Sequence, residues 1–168
     1  MNKLTFKGQA IEVEGTFPQV GEQAPDFTLI DNALSSISRK DLLGKKAVLN
    51  IFPSIDTPVC ATQLRTFNHQ LSGMKDVTLL FSSLDLPFAY NRFCAAEGIE
   101  NIITASDYKL SSLAANYGVK MKNGPLGGLY ARAVIILNEA HEIIYAERVN
   151  EVTDEPNYDA ALAVLASS

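Results

Sequence analysis

At 168 residues and a net charge of −5, with acidic and basic side chains scattered through the sequence, the chain has the length of one domain and buries roughly two-thirds or more of its unfolded surface. It lacks the clustered lysine and arginine of nucleic-acid or anionic-membrane binders, and no apolar run approaches the roughly 20 residues that span a bilayer. The first eight residues alternate polar and apolar without the apolar stretch of an export signal, so a cytoplasmic location is expected. In that reducing compartment the two cysteines, Cys60 and Cys94, are expected to be redox-active or simply buried thiols, because permanent structural disulfides are uncommon there.

In chain order, residues 3–6 and 10–13 alternate around Lys7-Gly8-Gln9 and predict a small N-terminal hairpin. Residues 16–26, with Pro18, Gly21 and Pro25, read as loop. A short strand over 27–30 and one helical turn over 38–43, stopped by Gly44, come next. The apolar run 47–52 reads as a buried core strand, and the stretch from Cys60 to Leu71 has apolar residues at helical spacing. Residues 77–82 repeat the buried-strand pattern, and 87–97 read as a helix ending at Gly98 and carrying Cys94. After a short apolar segment at 102–104, residues 108–117 have a helical pattern with Gly118 as its stop. Residues 121–128 form a Gly/Pro loop. Segments 131–137 and 142–149 flank Asn138-Glu139-Ala140-His141 as a second hairpin, and 158–165 close the chain as a helix. Two buried strands, each followed by a helix, imply a parallel pair with right-handed crossovers, and the later hairpin adds antiparallel strands. The expected fold is α/β: a mixed sheet with helices on both faces.

The most informative stretch is Pro53-Ser54-Ile55-Asp56-Thr57-Pro58-Val59-Cys60, where the core strand gives way to a helix. Proline is tolerated at the first helical position and keeps the residue before it out of the α region. Thr57 is therefore expected as N-cap, Pro58 as N1 and Cys60 as N3. A side chain at N3 lies beside unpaired backbone N–H groups at the positive end of the helix dipole, which stabilises an anion and hence a thiolate.

Pro53-x-x-x-Thr57-x-x-Cys60 after a core strand resembles the active-site motif of the peroxiredoxins, thiol peroxidases with a thioredoxin-like fold. Three stretches narrow the likeness to the bacterial thiol peroxidase subfamily, an atypical two-cysteine class. They are residues 50–57, Asp85-Leu86-Pro87-Phe88-Ala89 leading to Arg92-Phe93-Cys94, and Gly124-Pro125-Leu126 leading to Leu129 and Ala131-Arg132-Ala133. The resemblance spans nearly the whole chain as one thioredoxin-like domain. It implies that Cys60 is the peroxidatic cysteine and that Cys94 is the resolving cysteine, which forms a disulfide with it inside one subunit. It implies that thioredoxin is the reductant, that Thr57, Pro53 and Arg132 complete the site, and that the protein is a homodimer.

The chemistry fits those residue types. Thiolate attack on a peroxide needs one sulfur anion and donors for the charge that develops on oxygen, without metal or organic cofactor. The Cys60 N–H and Thr57 hydroxyl can meet peroxide oxygens, Arg132 can stabilise both anions, and Pro53, lacking an N–H, can shield the sulfur. A second thiol protects the sulfenic acid from over-oxidation. The two cysteines lie on separate elements, so local unfolding of the Cys60 helix start and of residues 87–98 is expected on disulfide formation.

Each residue also has a plainer reading. Cys60 and Cys94 fit as buried thiols, Thr57 as an N-cap only, Pro53 as a strand terminator, and Arg132 as a strand-end residue with its head in solvent. His69 lies about two and a half helical turns from Cys60, too far to act as its base. His141 falls in a turn, and both histidines are expected to be solvated. The spacing of the two cysteines and two histidines matches no zinc pattern. Residues 124–128 lack the context of a phosphate-binding loop and suit the rim of a site. Phe88, Phe93 and Leu126 near the motifs hint at an alkyl hydroperoxide. A redox-sensing protein acting through the same disulfide is the alternative to an enzyme. A dithiol oxidoreductase is disfavoured, since those carry closely spaced C-x-x-C cysteines.

Overall fold

The computed structural model describes residues 4–71, 73–114 and 116–167. Strands β1 (Leu4–Phe6) and β2 (Gln9–Ile11) form the N-terminal hairpin, with Leu4 opposite Ile11; Lys3 lies outside the described residues. A seven-stranded mixed sheet follows. It comprises β3 (Thr28–Asp31), β4 (Ser36–Ser38), β5 (Lys46–Ile51), β6 (Val77–Ser83), β7 (Ile103–Ser106), β8 (Ala133–Leu137) and β9 (Ile143–Arg148), in the order β4-β3-β7-β6-β5-β8-β9. The helices are α1 (Pro58–Leu71), α2 (Pro87–Glu97) and α3 (Tyr158–Ser167). Among the described residues no helix is long and apolar enough to cross a membrane.

The centre of the sheet is the expected parallel pair. Val48 of β5 faces Leu79 of β6 in parallel and Ile136 of β8 in antiparallel register. Because β5 is covered on both faces, its alternate residues feed two cores. Ala47, Leu49 and Ile51 join one, while Val48 and the following Phe52 join the other with Leu64 and Phe67 of α1, Tyr90 of α2 and Ala161 of α3. All three α-helices therefore cover one face.

The other face differs from the sequence expectation. Residues 108–117 form successive turns and no helix among the described residues. Leu113, Ala114 and Tyr117 are buried against the sheet at the helical spacing seen in the sequence. The Asp107 carboxylate accepts the N–H groups of Ser112 at 2.8 Å and Leu113 at 2.7 Å, and Ser111 takes a φ of 49°. An aspartate that captures nearby backbone donors competes with the helix it precedes. These turns, with Leu42 of a 3₁₀ turn at Arg39–Leu42, supply the second layer. Strand β4 was not anticipated; its sequence, Ser36-Ile37-Ser38, carries one apolar residue and pairs only at the sheet edge with β3.

His141 is a second correction. It sits in the expected turn but is fully buried, and its Nδ1 lies 3.1 Å from Arg39 Nη1. Because guanidinium only donates, that nitrogen accepts and the ring is neutral. His69 is exposed on α1.

The N-terminal hairpin is held by one carboxylate. Glu151 accepts the N–H groups of Lys7, Gly8 and Thr153 and the hydroxyls of Thr5 and Thr153, at 2.9 to 3.1 Å. Lys7 and Gly8 both take positive φ, 49° and 82°, the pattern of a tight hairpin turn. Partial burial works against the Glu151 anion, but the donors of Thr153, Gly8 and Lys7 outweigh it and bring the carboxyl down from 4.5 to about 2. A depressed carboxyl stabilises the fold above its unfolded value of 4.5 and loses that contribution as pH falls toward 2. Glu151→Gln is accordingly expected to lower the urea midpoint most above pH 5, with the gap to the parent protein narrowing steadily below 4.5; a gap independent of pH would contradict the clamp.

Candidate active site

The site lies where β5 and β6 end. β5 runs into Phe52 and the buried Pro53, and residues 54–57 turn the chain into α1. Thr57 N–H donates to Ser54 O at 3.1 Å, the Thr57 hydroxyl donates to the same carbonyl at 2.8 Å, and Ala61 N–H donates the first helical bond to Thr57 O at 3.1 Å. Thr57 is thus the N-cap by backbone geometry, with Pro58 at N1. Cys60 is N3, the last position whose N–H has no helical carbonyl four residues behind it. Its side chain is fully buried.

Arg132 precedes β8 and is 2% exposed. Its Nη1 donates to Cys60 Sγ at 3.2 Å and to Gln63 Oε1 at 2.9 Å, while Nε and Nη2 reach Val152 O at 3.1 and 2.9 Å. Gln63, one turn beyond Cys60, is itself held by donating to Asn50 Oδ1 at 3.0 Å. None of the ion pairs among the described residues gives Arg132 a carboxylate. A buried guanidinium surrounded by neutral oxygens is costly, and the nearest group able to become its counter-anion is the Cys60 sulfur.

A pocket of about 280 Å³ opens beside this pair. Phe6, Pro53, Val59, Leu126 and Val152 give it apolar walls, and Thr57, Arg132 and Lys7 supply polar groups. Cys60, Thr57, Pro53 and Arg132 are thus brought together. Cys94 is not: it lies half-buried on α2, where burial pushes its thiol pKa up, and both cysteines are free thiols. The Gly124–Gly128 loop contributes Leu126 to the pocket as expected. Phe88 is 62% exposed and Phe93 packs under the Arg65 guanidinium, so neither belongs to the pocket. Among the described residues no three His, Cys, Asp or Glu side chains gather as metal ligands would.

Sequence reasoning passed over Gln63, the Val152 carbonyl and the hairpin wall. An amide three residues after Cys60, on the otherwise apolar face of α1, was the one available signal. The hairpin and Val152 reach the site through tertiary pairing that no local pattern encodes.

A family model described as Redoxin matches residues 19–162. A thiol peroxidase of Corynebacterium glutamicum is 45% identical over 165 residues, covering 98% of this chain and 99% of that protein. The chain belongs to the thiol peroxidases of the redoxin family. Among solved structures, a peroxiredoxin-like protein from Aquifex aeolicus superposes with a TM-score of 0.93 at 34% identity, covering 99% of this chain and 97% of that one. A thiol peroxidase from Chromobacterium violaceum shares the fold at a TM-score of 0.91 and 22% identity, over 99% and 97% of the two chains. Both likenesses extend over the hairpin as well as the sheet.

Arg132→Met removes the buried cation while keeping a long apolar side chain. Peroxide consumption per Cys60 is expected to fall about 100-fold, the scale of losing one preorganised charge-stabilising donor, and iodoacetamide labelling of Cys60 at pH 7 is expected to slow with it. Labelling at the parent rate would separate Arg132 from the state of the sulfur.

Proposed function

We propose that this thiol-dependent peroxidase reduces hydrogen peroxide and organic hydroperoxides through Cys60 and is recycled through Cys94. The observation that carries this reading is the buried Arg132 guanidinium, which has no carboxylate partner among the described residues and meets the Cys60 sulfur at 3.2 Å. The thiolate attacks one peroxide oxygen in line: an S–O bond forms, the O–O bond breaks, and the distal oxygen leaves as alkoxide or hydroxide and takes up a proton. Cys60 becomes a sulfenic acid and the substrate an alcohol or water.

Of the five guanidinium N–H groups, the bonds to Val152, Gln63 and Cys60 use four, leaving one Nη2–H for a ligand in the pocket that Arg132 lines. Thr57 has spent its proton on Ser54 and offers lone pairs, which suits it to accept from the peroxide O–H. Pro53 presents no N–H and keeps water off the sulfur. The apolar walls support an organic hydroperoxide as one substrate.

The Cys94 thiol then displaces water from the sulfenic acid, giving a Cys60–Cys94 disulfide. A dithiol reductant, which we assign as thioredoxin, returns both thiols. With Cys60 sealed beneath the pocket and Cys94 on a different helix, the start of α1 and helix α2 must leave their places for that bond to form. We place this chemistry in one domain of a cytoplasmic homodimer.

The test is intact mass after one equivalent of hydroperoxide. The parent protein is expected to lose two hydrogens as a monomer-internal disulfide, Cys60→Ser to remain unchanged, and Cys94→Ser to yield a trappable sulfenic acid. Two free thiols surviving in the parent protein would overturn the reading.

A further inference from the structure

Asp85, in the loop between β6 and α2, takes no part in the site described above, yet its carboxylate joins the two halves of the reaction. Oδ1 accepts the Ser54 hydroxyl at 2.7 Å, and Oδ2 accepts the Ile55 N–H at 2.7 Å and the Ser83 hydroxyl at 2.6 Å. Ser54 and Ile55 lie in the turn that delivers Cys60 to the pocket. Ser83 Oγ in turn pairs with the Tyr90 hydroxyl. Ser83 has one hydroxyl proton and gives it to a group that only accepts, so Tyr90 donates to Ser83 and the chain runs Tyr90 to Ser83 to Asp85.

Tyr90 is on α2, one turn before Cys94 and on the same face of the helix. It is fully buried, with its ring stacked on Phe52 at 6.4 Å between centroids and 16° between planes. Burial chiefly, and then the nearness of Asp85 and of both thiols, raises the pKa of its hydroxyl. The link between the Cys60 turn and the Cys94 helix is thus an internal one. The parallel surface tie, Arg92 to Asp56 at 2.9 Å, is between side chains 68% and 64% exposed and contributes little by comparison.

We propose that Asp85 is a positioning residue that latches the Cys60 turn to the Cys94 helix through Ser54, Ile55, Ser83 and Tyr90, and so sets how fast the disulfide forms after peroxide attack. The proposal rests on the two-cysteine reading above. While latched, the turn presents Cys60, Thr57 and Pro53 to the pocket. When the hydrogen bonds open together, Cys60 is released and the end of α2 is free to carry Cys94 toward it. Part-buried, charge-assisted bonds to Asp85, joined to the buried Ser83–Tyr90 bond, are lost as a set, so the latch gives the closed and open forms distinct populations.

Tyr90→Phe keeps the ring on Phe52 and removes only the hydroxyl; Asp85→Asn removes the charge. In both, rapid-quench alkylation with mass detection gives separate rate constants for sulfenic acid formation and for its conversion to disulfide. The second is expected to rise about fivefold in Tyr90→Phe, the weight of one buried hydrogen bond, and about tenfold in Asp85→Asn, where the bonds are to a charged group. The peroxide concentration needed to drive Cys60 to sulfinic acid is expected to rise in the same proportion, and hydrogen exchange in residues 54–57 and 87–97 of the reduced protein to quicken. A purely structural role would lower the melting temperature without speeding disulfide formation. If the parent protein forms the disulfide and neither variant forms it faster, the latch is wrong and the two-cysteine reading stands. If the parent forms none, both fall.

Discussion

A guanidinium buried with no carboxylate partner among the described residues is the constraint around which this molecule is arranged. Arg132 is nearly sealed from solvent, and the fold meets its charge with one backbone carbonyl, one amide and one sulfur. Neutral oxygens satisfy its donors but not its charge. That imbalance singles out the Cys60 sulfur, 3.2 Å away, as the contact through which a negative charge would answer the guanidinium, so the packing of Arg132 and the proposed chemistry share one contact. The N-terminus of α1 adds its dipole and open N–H groups in the same direction.

Distant parts of the chain converge to keep that contact in place. Val152, which receives two of the guanidinium bonds, pairs through its own N–H with Thr5 of β1, while the neighbouring Glu151 clamps the β1–β2 turn. Gln63 hangs from Asn50 in the central strand. The cation is therefore oriented from the sheet, from α1 and from the hairpin at once, and it lines the pocket that opens beside the sulfur.

Much of this was legible in the sequence. Pro58 after Thr57 fixed where α1 starts, because proline restricts both itself and its predecessor, and Gly98 ended α2 in a left-handed cap at φ 64°. The buried strands β5 and β6 declared themselves by continuous apolar runs. What failed did so for identifiable reasons. Residues 108–117 have a helix's apolar spacing, but the Asp107 side chain captures the donors a helix would need. His141 looked like a solvated turn residue, but Arg39, over a hundred positions away in sequence, provides it a buried partner. Gln63 and Asp85 are polar residues whose partners are chosen by tertiary packing. Local pattern points to Cys60; it does not name what holds it.

The hairpin that lends Phe6 and Lys7 to the pocket stands outside the seven-stranded sheet, with its own small core of Leu4, Ile11, Met121, Ala131 and Val152. The same appendage also supports the Arg132 guanidinium, because Thr5 of β1 receives the Val152 N–H while the Val152 carbonyl receives Nε and Nη2 of Arg132. A shift of the hairpin backbone therefore reaches the pocket wall and the Arg132–Cys60 contact together, whereas an exchange confined to the side chains of Phe6 and Lys7 alters the wall first.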